Sequence, residues 1–295
     1  MATEKNIEGQ IRDLETLRAI SKAYAGIAAI RMKKVRNSVL YNREFMAQID
    51  AIFRDVRSSY RLELLKLIDK KKVKIGDKIT FLAHNGKTVA AFISANTGLY
   101  GDIVQRTFEA FMKEVRSTGI EVAIIGKLGL SLFLATGVDR PYSYFDFPDH
   151  QIDPDKLSEI ITHLVQYEEI HVYYGRFQSV VTQKPEMLDV SAETPIVDLI
   201  DEKRQGKAVQ YLFEPDLEEI MVFFEQEMFA SLFEQAIRES QLAKYASRIF
   251  AMDKAGENIK QSIKGLEIDL LRAEHRDQNR KQLDSLAARI MATAR

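Results

Sequence analysis

The run Ile249-Phe250-Ala251-Met252-Asp253-Lys254-Ala255-Gly256-Glu257-Asn258-Ile259-Lys260-Gln261-Ser262-Ile263-Lys264-Gly265-Leu266-Glu267-Ile268-Asp269-Leu270-Leu271-Arg272-Ala273 alternates steps of three and four between core-type residues. Ile249, Met252, Gly256, Ile259, Ile263, Leu266, Leu270 and Ala273 thereby form the a/d seam of a coiled coil. From Asp216 to Arg295 there is no proline and there are two glycines, so the stretch reads as one very long helix. At 1.5 Å per residue such a helix reaches about 110 Å, whereas a compact chain of this length has a radius of gyration of roughly 19 Å. The reading predicts a helix that projects from a folded body and needs a partner.

The other end of the chain offers that partner. The first proline is Pro141. Ile7, Ile11, Leu14, Leu17, Tyr24, Ile27, Met32 and Val35 form a helical stripe, continued by Phe45, Ile49, Ile52, Val56 and Tyr60. Ala19, Ala23, Ala25, Gly26, Ala28 and Ala29 are small enough for a neighbouring helix to approach closely. The expected architecture is an antiparallel coiled coil of residues 1–75 and 215–295, with residues 76–214 as a central domain.

Between the helices the pattern changes to short apolar runs alternating with helices. Strands are expected at Ile79 to Ala83 and Val89 to Ser94, with Asn85-Gly86 between them as a hairpin turn signal. Further strands are expected at Val122 to Ile125, Tyr142 to Phe147, Ile170 to Tyr174, Ser179 to Thr182 and Val209 to Phe213. Helices are expected at Asp102 to Arg116, Leu128 to Ala135 and Asp153 to Tyr167, and Asp216 with Glu219 reads as the capped start of the last one. The fold class is α/β: a Rossmann-like open sandwich with some antiparallel pairing, carried on the coiled coil.

Composition narrows the chemistry. Hydrophobic residues make up 46% of the chain, enough for a core, and no apolar run approaches the ~20 residues that span a bilayer. The polar start, with Glu4 and Glu8, resembles neither a secretory signal nor a transit peptide. With no cysteine there is no disulfide framework, thiol nucleophile, thiolate zinc site or thiol switch. Lys and Arg outnumber Asp and Glu by 17 to 9 in residues 1–75, and the balance is 13 to 20 in residues 76–214. The cluster Arg31, Lys33, Lys34, Arg36 and the run Lys70 to Lys74 suit an acidic partner, while nucleic acid is disfavoured because no aromatic platform accompanies them.

Catalytic look-alikes are weak. Gly86-Lys87-Thr88 resembles the end of a phosphate loop, but Phe81 stands where its first glycine belongs and no helix follows. The five histidines, 84, 150, 163, 171 and 275, have no metal-ligand spacing, and no cofactor is expected. The turn Ser94-Ala95-Asn96-Thr97-Gly98-Leu99-Tyr100-Gly101 follows a strand and precedes a helix, where α/β folds often take an anion.

Three segments, in order, carry a resemblance. Ile20-Ser21-Lys22-Ala23 with Ile27-Ala28-Ala29-Ile30-Arg31-Met32-Lys33-Lys34 is similar to ITKAM and VAxxKLRK. Ile93 to Gly101 is similar to a strand followed by SDRGLCGG, and Ala246-Ser247-Arg248-Ile249-Phe250-Ala251-Met252 with Asn258 and Ile263-Lys264-Gly265-Leu266 is similar to AARMxAM, a later Asn and IxxL. Together they resemble the gamma subunit, the central rotor shaft, of F-type rotary ATP synthases.

The resemblance implies a noncatalytic shaft that couples ATP synthesis or hydrolysis in a ring of alpha and beta subunits to an ion-translocating membrane rotor. It further implies an epsilon subunit and a c-ring as partners, and a peripheral place on the cytoplasmic face of a bacterial membrane. Implied ring contacts are Lys22, Tyr24, Arg31, Lys33, Lys34, Arg248, Glu274, His275 and Asn279. The match has departures: Asn96-Thr97 replace Asp-Arg, Tyr100 replaces Cys, Asp102 replaces Gly, Tyr24 replaces Met, and Glu274, His275 and Asn279 stand for Arg, Gln and Thr. Other readings stay open: a rotor for sodium pumping or motility, a coiled-coil adaptor that does not rotate, and an α/β enzyme with a ligand at the Asn96 to Asp102 turn.

Overall fold

The computed structural model of the chain describes residues 2–59, 78–79, 85–189, 194–195 and 217–293. The strand expected at Val209 to Phe213, the cap at Asp216, the Lys70 to Lys74 run and Tyr60 lie outside the described residues. The chain forms two compact units, Ile30–Ser247 and Met1–Ala29 with Arg248–Arg295.

The larger unit is built on a five-stranded sheet. Its strands are β2 (Thr88–Ile93), β3 (Glu121–Ile125), β4 (Tyr142–Phe145), β5 (Glu169–Phe177) and β6 (Gln183–Asp189), in the order β4-β3-β2-β5-β6. All pair in parallel except β6, which runs antiparallel to β5. Helices α2 (Ile103–Ser117), α3 (Lys127–Ala135) and α4 (Pro154–Leu164) connect them. Two long helices complete the chain, α1 (Ala2–Ser59) and α5 (Leu217–Thr293). A separate antiparallel pair joins β1 (Lys78–Ile79) to β7 (Thr194–Pro195).

The central strand β2 is apolar on both faces because both faces are covered. Val89, Ala91 and Ile93 join a core cluster with Leu157, Ile160 and Leu164 of α4 and with Phe229, Phe233, Ala236 and Ile237 of α5. On the other face Phe92 lies 5.3 Å from Phe111 and 5.6 Å from Phe108 of α2, ring centre to ring centre, and Phe111 meets Tyr173 edge-on. Helix α4 starts where its residues dictate: Asp153 accepts hydrogen bonds from the Asp155 and Lys156 N–H groups, and Pro154 follows at the first helical position. Pro185, which cannot donate to a ladder, is accommodated because β6 is an edge strand.

Two expectations are corrected here. The Asn85-Gly86 turn does not make a hairpin, because β2 has β3 on one side and β5 on the other, and Lys78 and Ile79 pair with β7 instead. Gly86 does turn the chain at φ 70°, with the Asn85 side chain accepting from the Lys87 N–H. Ser179 to Thr182 is not a strand but the β5–β6 turn, in which the Ser179 hydroxyl accepts from the Thr182 N–H and Gln183 donates to the Ser179 and Val180 carbonyls.

In the smaller unit the two chain ends run antiparallel. Arg248 lies over the Tyr24 ring at 5.9 Å, and Lys281 is held above its ordinary pKa by its hydrogen bond to Asp277, with a contribution from Glu4 near the chain start. On α5 from Ile249 to Ala273 every predicted seam position, Ile249, Met252, Gly256, Ile259, Ile263, Leu266, Leu270 and Ala273, is partly or fully buried, with Ala251 and Ala255 part-buried beside them. The α1 stripe differs from expectation between Leu17 and Ile27, while Met32 and Val35 further along are part-buried and buried as expected. Leu17, Tyr24 and Ile27 are 52%, 39% and 46% exposed, while Ser21, Ala25 and Ala28 turn inward. Small residues keep the three-four stepping on the packed face, and the large ones project outward. Of the six small residues expected on the narrow face, Ala25 and Ala28 occupy it.

Three outcomes are expected. Phe92→Ala should cost about 3–5 kcal/mol by denaturant unfolding, because the ring is fully buried between Phe108 and Phe111. Ile263→Asp puts a charge in the seam and should unpair the chain ends, exposing both to limited proteolysis; persistence of the protected pair would refute the seam. A Cβ at Gly256 meets no atom within 4 Å, so Gly256→Ala should stabilise the helix, by about 1 kcal/mol from backbone propensity alone.

Candidate functional site

Two regions carry the residues of interest: the surface of the long helices and the turn that leaves β2. On the helices, Lys22, Lys33, Lys34, Glu274, His275 and Asn279 are exposed, Tyr24 is partly exposed and Arg31 is half-buried. Arg248 is different. Only 5% of it is exposed and its guanidinium sits over the Tyr24 ring, so it holds a neighbouring side chain instead of offering a free charge. Tyr24 and Arg248, chosen separately from the sequence, are brought together; Glu274, His275 and Asn279 stay on the solvent side of α5.

The turn after β2 is built from backbone donors. The Ser94 N–H donates to the Ile125 carbonyl, and Asn96 bridges two elements, accepting from the Lys127 N–H at the start of α3 and donating to Asp146. Two glycines permit the close approaches. A Cβ on Gly126, at φ 104°, would lie 2.9 Å from the Ala95 carbonyl oxygen, and one on Gly101, at φ 62°, would lie 2.3 Å from the Ser247 hydroxyl of α5.

The anion that such a turn suits comes from the protein itself. Asp149 Oδ1 accepts from the Asn96 N–H at 2.9 Å, and its Oδ2 accepts from the Thr97 N–H at 2.9 Å and the Thr97 hydroxyl at 2.8 Å. Lys244 of α5 brings its ammonium to 3.7 Å from Asp149 Oδ1 and donates to the Ser94 carbonyl at 2.7 Å. Both side chains are out of solvent, 7% exposed for Lys244 and 4% for Asp149. Tyr245 donates its hydroxyl to the Asp149 carbonyl at 3.1 Å, and Lys244 lies 5.8 Å over the Tyr100 ring. Burial pushes the Asp149 carboxyl up, but Lys244 and the Asn96 and Thr97 donors outweigh it and hold the group below its ordinary pKa.

The arrangement binds helix to sheet and leaves the Asn96 and Thr97 donors committed. Thr97 stands where the related pattern has Arg, and here the cation at the turn is Lys244. Sequence reading singled out the turn but missed Asp149, Lys244 and Tyr245. A faint signal existed: Lys244 interrupts the otherwise apolar Leu242-Ala243 and Tyr245-Ala246. Lys87, in the phosphate-loop look-alike, donates to Glu121 at 2.6 Å on the surface. Among the described residues no cluster of His, Asp and Glu could hold a metal, and no helix is long and apolar enough to cross a membrane.

Asp149→Ala should cost about 3–5 kcal/mol, since it strands a buried ammonium and three donors, whereas Lys87→Ala should cost less than about 1 kcal/mol. Because the Asp149 pKa is lowered from 3.8, its stabilisation is complete above the unfolded-chain value and is lost as the pH falls through the folded one. Acid unfolding followed by circular dichroism should therefore begin below about pH 4, and Asp149→Asn should flatten that limb.

Comparison with known proteins agrees with this architecture. The sequence pattern of the ATP synthase family matches residues 3–275. The chain is 23% identical over 282 residues to the ATP synthase gamma chain of Desulforamulus reducens, covering 92% of this chain and 93% of that one. It is likewise 23% identical over 280 residues to the ATP synthase gamma chain of Staphylococcus aureus, with the same coverage. In structure it is similar to a chain of the central stalk and c-ring of Tetrahymena thermophila mitochondrial ATP synthase, with TM-score 0.56, 18% identity, and coverage of 80% of this chain and 99% of that one. It is similar also to a chain of the Euglena gracilis mitochondrial ATP synthase, with TM-score 0.54, 13% identity, and coverage of 89% and 95%. The family pattern, matched over residues 3–275, shows that this chain belongs to the ATP synthase family, and the relatives it resembles along almost its whole length are gamma chains.

Proposed function

We propose that this chain is the central-stalk rotor subunit of an F-type ATP synthase, coupling ATP synthesis or hydrolysis in an alpha/beta ring to rotation of an ion-translocating membrane rotor. The observation that carries the proposal is the antiparallel pairing of the chain ends, with Tyr24 against Arg248 and the intact seam from Ile249 to Ala273. A shaft must resist bending and twisting, and two helices interlocked along a seam are stiffer than either alone. Catalysis then belongs to the ring. The chain works as a peripheral subunit on the cytoplasmic face of the membrane, beside an epsilon subunit and a c-ring. Residues 1–75 and 215–295 supply the shaft and residues 76–214 its foot.

Lys22, Tyr24, Arg31, Lys33, Lys34, Glu274, His275 and Asn279 are the side chains we assign to the ring, and Arg248 acts there through Tyr24. Glu274 inverts the charge that the family pattern carries at that place, so the partner ring is expected to differ with it. Affinity capture of the tagged chain from its native cells, read by native mass spectrometry, should return one copy with three each of two homologous nucleotide-binding subunits. A monomer or an unrelated partner set would favour a non-rotating adaptor. Replacing Arg31, Lys33 and Lys34 together by alanine should weaken assembly most at low ionic strength. The difference from the wild type should shrink as salt shortens the screening length towards ~3 Å at 1 M; a salt-independent difference would mean packing, not attraction, acts there.

A further inference from the structure

From the geometry at the end of β2 we infer that the buried Lys244–Asp149 pair is the latch through which α5 passes torque to the sheet, making Lys244, Asp149 and Tyr245 positioning residues for coupling. The inference rests on the rotor reading above. Most of what holds α5 to the sheet is apolar: Phe229, Phe233, Ala236 and Ile237 sit in the core cluster. Such contacts oppose separation, but the burial that drives them is non-directional, whereas a hydrogen-bonded ion pair is lost with a small change of angle. Directional resistance comes from groups that must keep their geometry.

Beyond the Tyr174 hydroxyl, which reaches Glu239 of α5 at 3.4 Å, one turn of α5 brings several such groups to the end of β2. The Lys244 ammonium is held between Asp149 Oδ1 at 3.7 Å and the Ser94 carbonyl at 2.7 Å, and the next residue, Tyr245, donates to the Asp149 carbonyl at 3.1 Å. Successive helix residues point about 100° apart, so the two side chains grip Asp149 from different directions. Ser247, on the same turn, backs onto Gly101 with no room for a Cβ between them. Asp149 cannot yield, because three donors of the Asn96-Thr97 turn hold its carboxylate. That turn is the direct continuation of β2, the central strand, which is hydrogen-bonded on both sides. The load path thus runs from α5 through Lys244 and Asp149 into the middle of the sheet. The pair has a fixed polarity, since backbone N–H groups at its far end require an anion at position 149.

The test uses the whole complex in lipid vesicles, with ATP hydrolysis and the membrane potential read together by a potential-sensitive dye, which reports whichever cation is moved. For assembled complexes carrying Lys244→Met or Asp149→Asn, hydrolysis should persist while the potential built per ATP falls several-fold, the more so against an opposing gradient. Lys244→Arg should retain coupling, and exchanging the two charges should not restore it.

A cross-link supplies the independent arm. A Cβ on Gly175 of β5 would lie 3.4 Å from the Ala243 Cβ, close to the about 3.5–4.5 Å of a disulfide, once Ile103→Ala removes the contact at 2.7 Å. In the Lys244→Met background, Gly175→Cys with Ala243→Cys should recover coupling when oxidised and lose it when reduced, in a chain with no other cysteine. Wild-type coupling in either single variant, or a coupling loss that the disulfide does not repair, would overturn the latch. A wild-type complex that builds no potential would instead count against the rotor reading itself.

Discussion

A carboxylate taken out of water needs hydrogen-bond donors and a compensating charge, and the turn after β2 is organised around that requirement. Asp149 is nearly inaccessible; its oxygens accept from two backbone N–H groups and a hydroxyl, and the Lys244 ammonium balances its charge from 3.7 Å. Because those donors come from the end of the central strand and from α5, satisfying one charge fixes the relation between a sheet and a helix that are far apart in sequence. The glycines at 101 and 126 follow from it, since the turn closes onto α5 and onto Ala95 at distances that a Cβ would forbid. Breaking such a pair is costly, which makes it a poor source of stability but a good source of geometric definition.

The same turn shows how an anion-binding arrangement can be turned inward. Free N–H groups after a parallel strand attract negative charge wherever it comes from. Here it comes from a side chain about fifty residues further along the chain, and the site becomes a joint. At Asn96 and Thr97 this argues against a ligand, because their N–H groups and the Thr97 hydroxyl are already committed to Asp149.

The helical unit obeys a different constraint. Two helices can stay close along a seam only if side-chain volumes alternate suitably, and α1 meets this by turning Ser21, Ala25 and Ala28 inward. The outward position of Leu17, Tyr24 and Ile27 then follows from geometry. Large apolar groups left on the surface of a helix pair suit burial against a partner. Tyr24 is braced by Arg248 from the opposite helix, so its placement depends on pairing.

Much of this was legible in advance. The α5 seam, the helices at 103–117, 127–135 and 154–164, and the apolar strands β2, β3 and β5 all follow from periodicity, which records which side of an element faces a core. What periodicity cannot record is partner choice. Asn85-Gly86 has the local chemistry of a hairpin, yet β2 pairs with β3 and β5, because two buried parallel neighbours outweigh one turn preference. Ser179 to Thr182 looks like a strand because valines are strand formers, but its hydroxyl and amide groups close a turn. The α1 stripe misled from Leu17 to Ile27 because hydrophobicity marks large residues, whereas close helix pairing selects small ones. The sequence by itself determined most of the elements and the paired ends, which depend on local spacing, and it carried the family resemblance in three matching segments. Only the tertiary structure decided that Lys244 meets Asp149 and that Arg248 is buried on Tyr24, because buried charges find their partners through three-dimensional proximity that no spacing along the chain encodes.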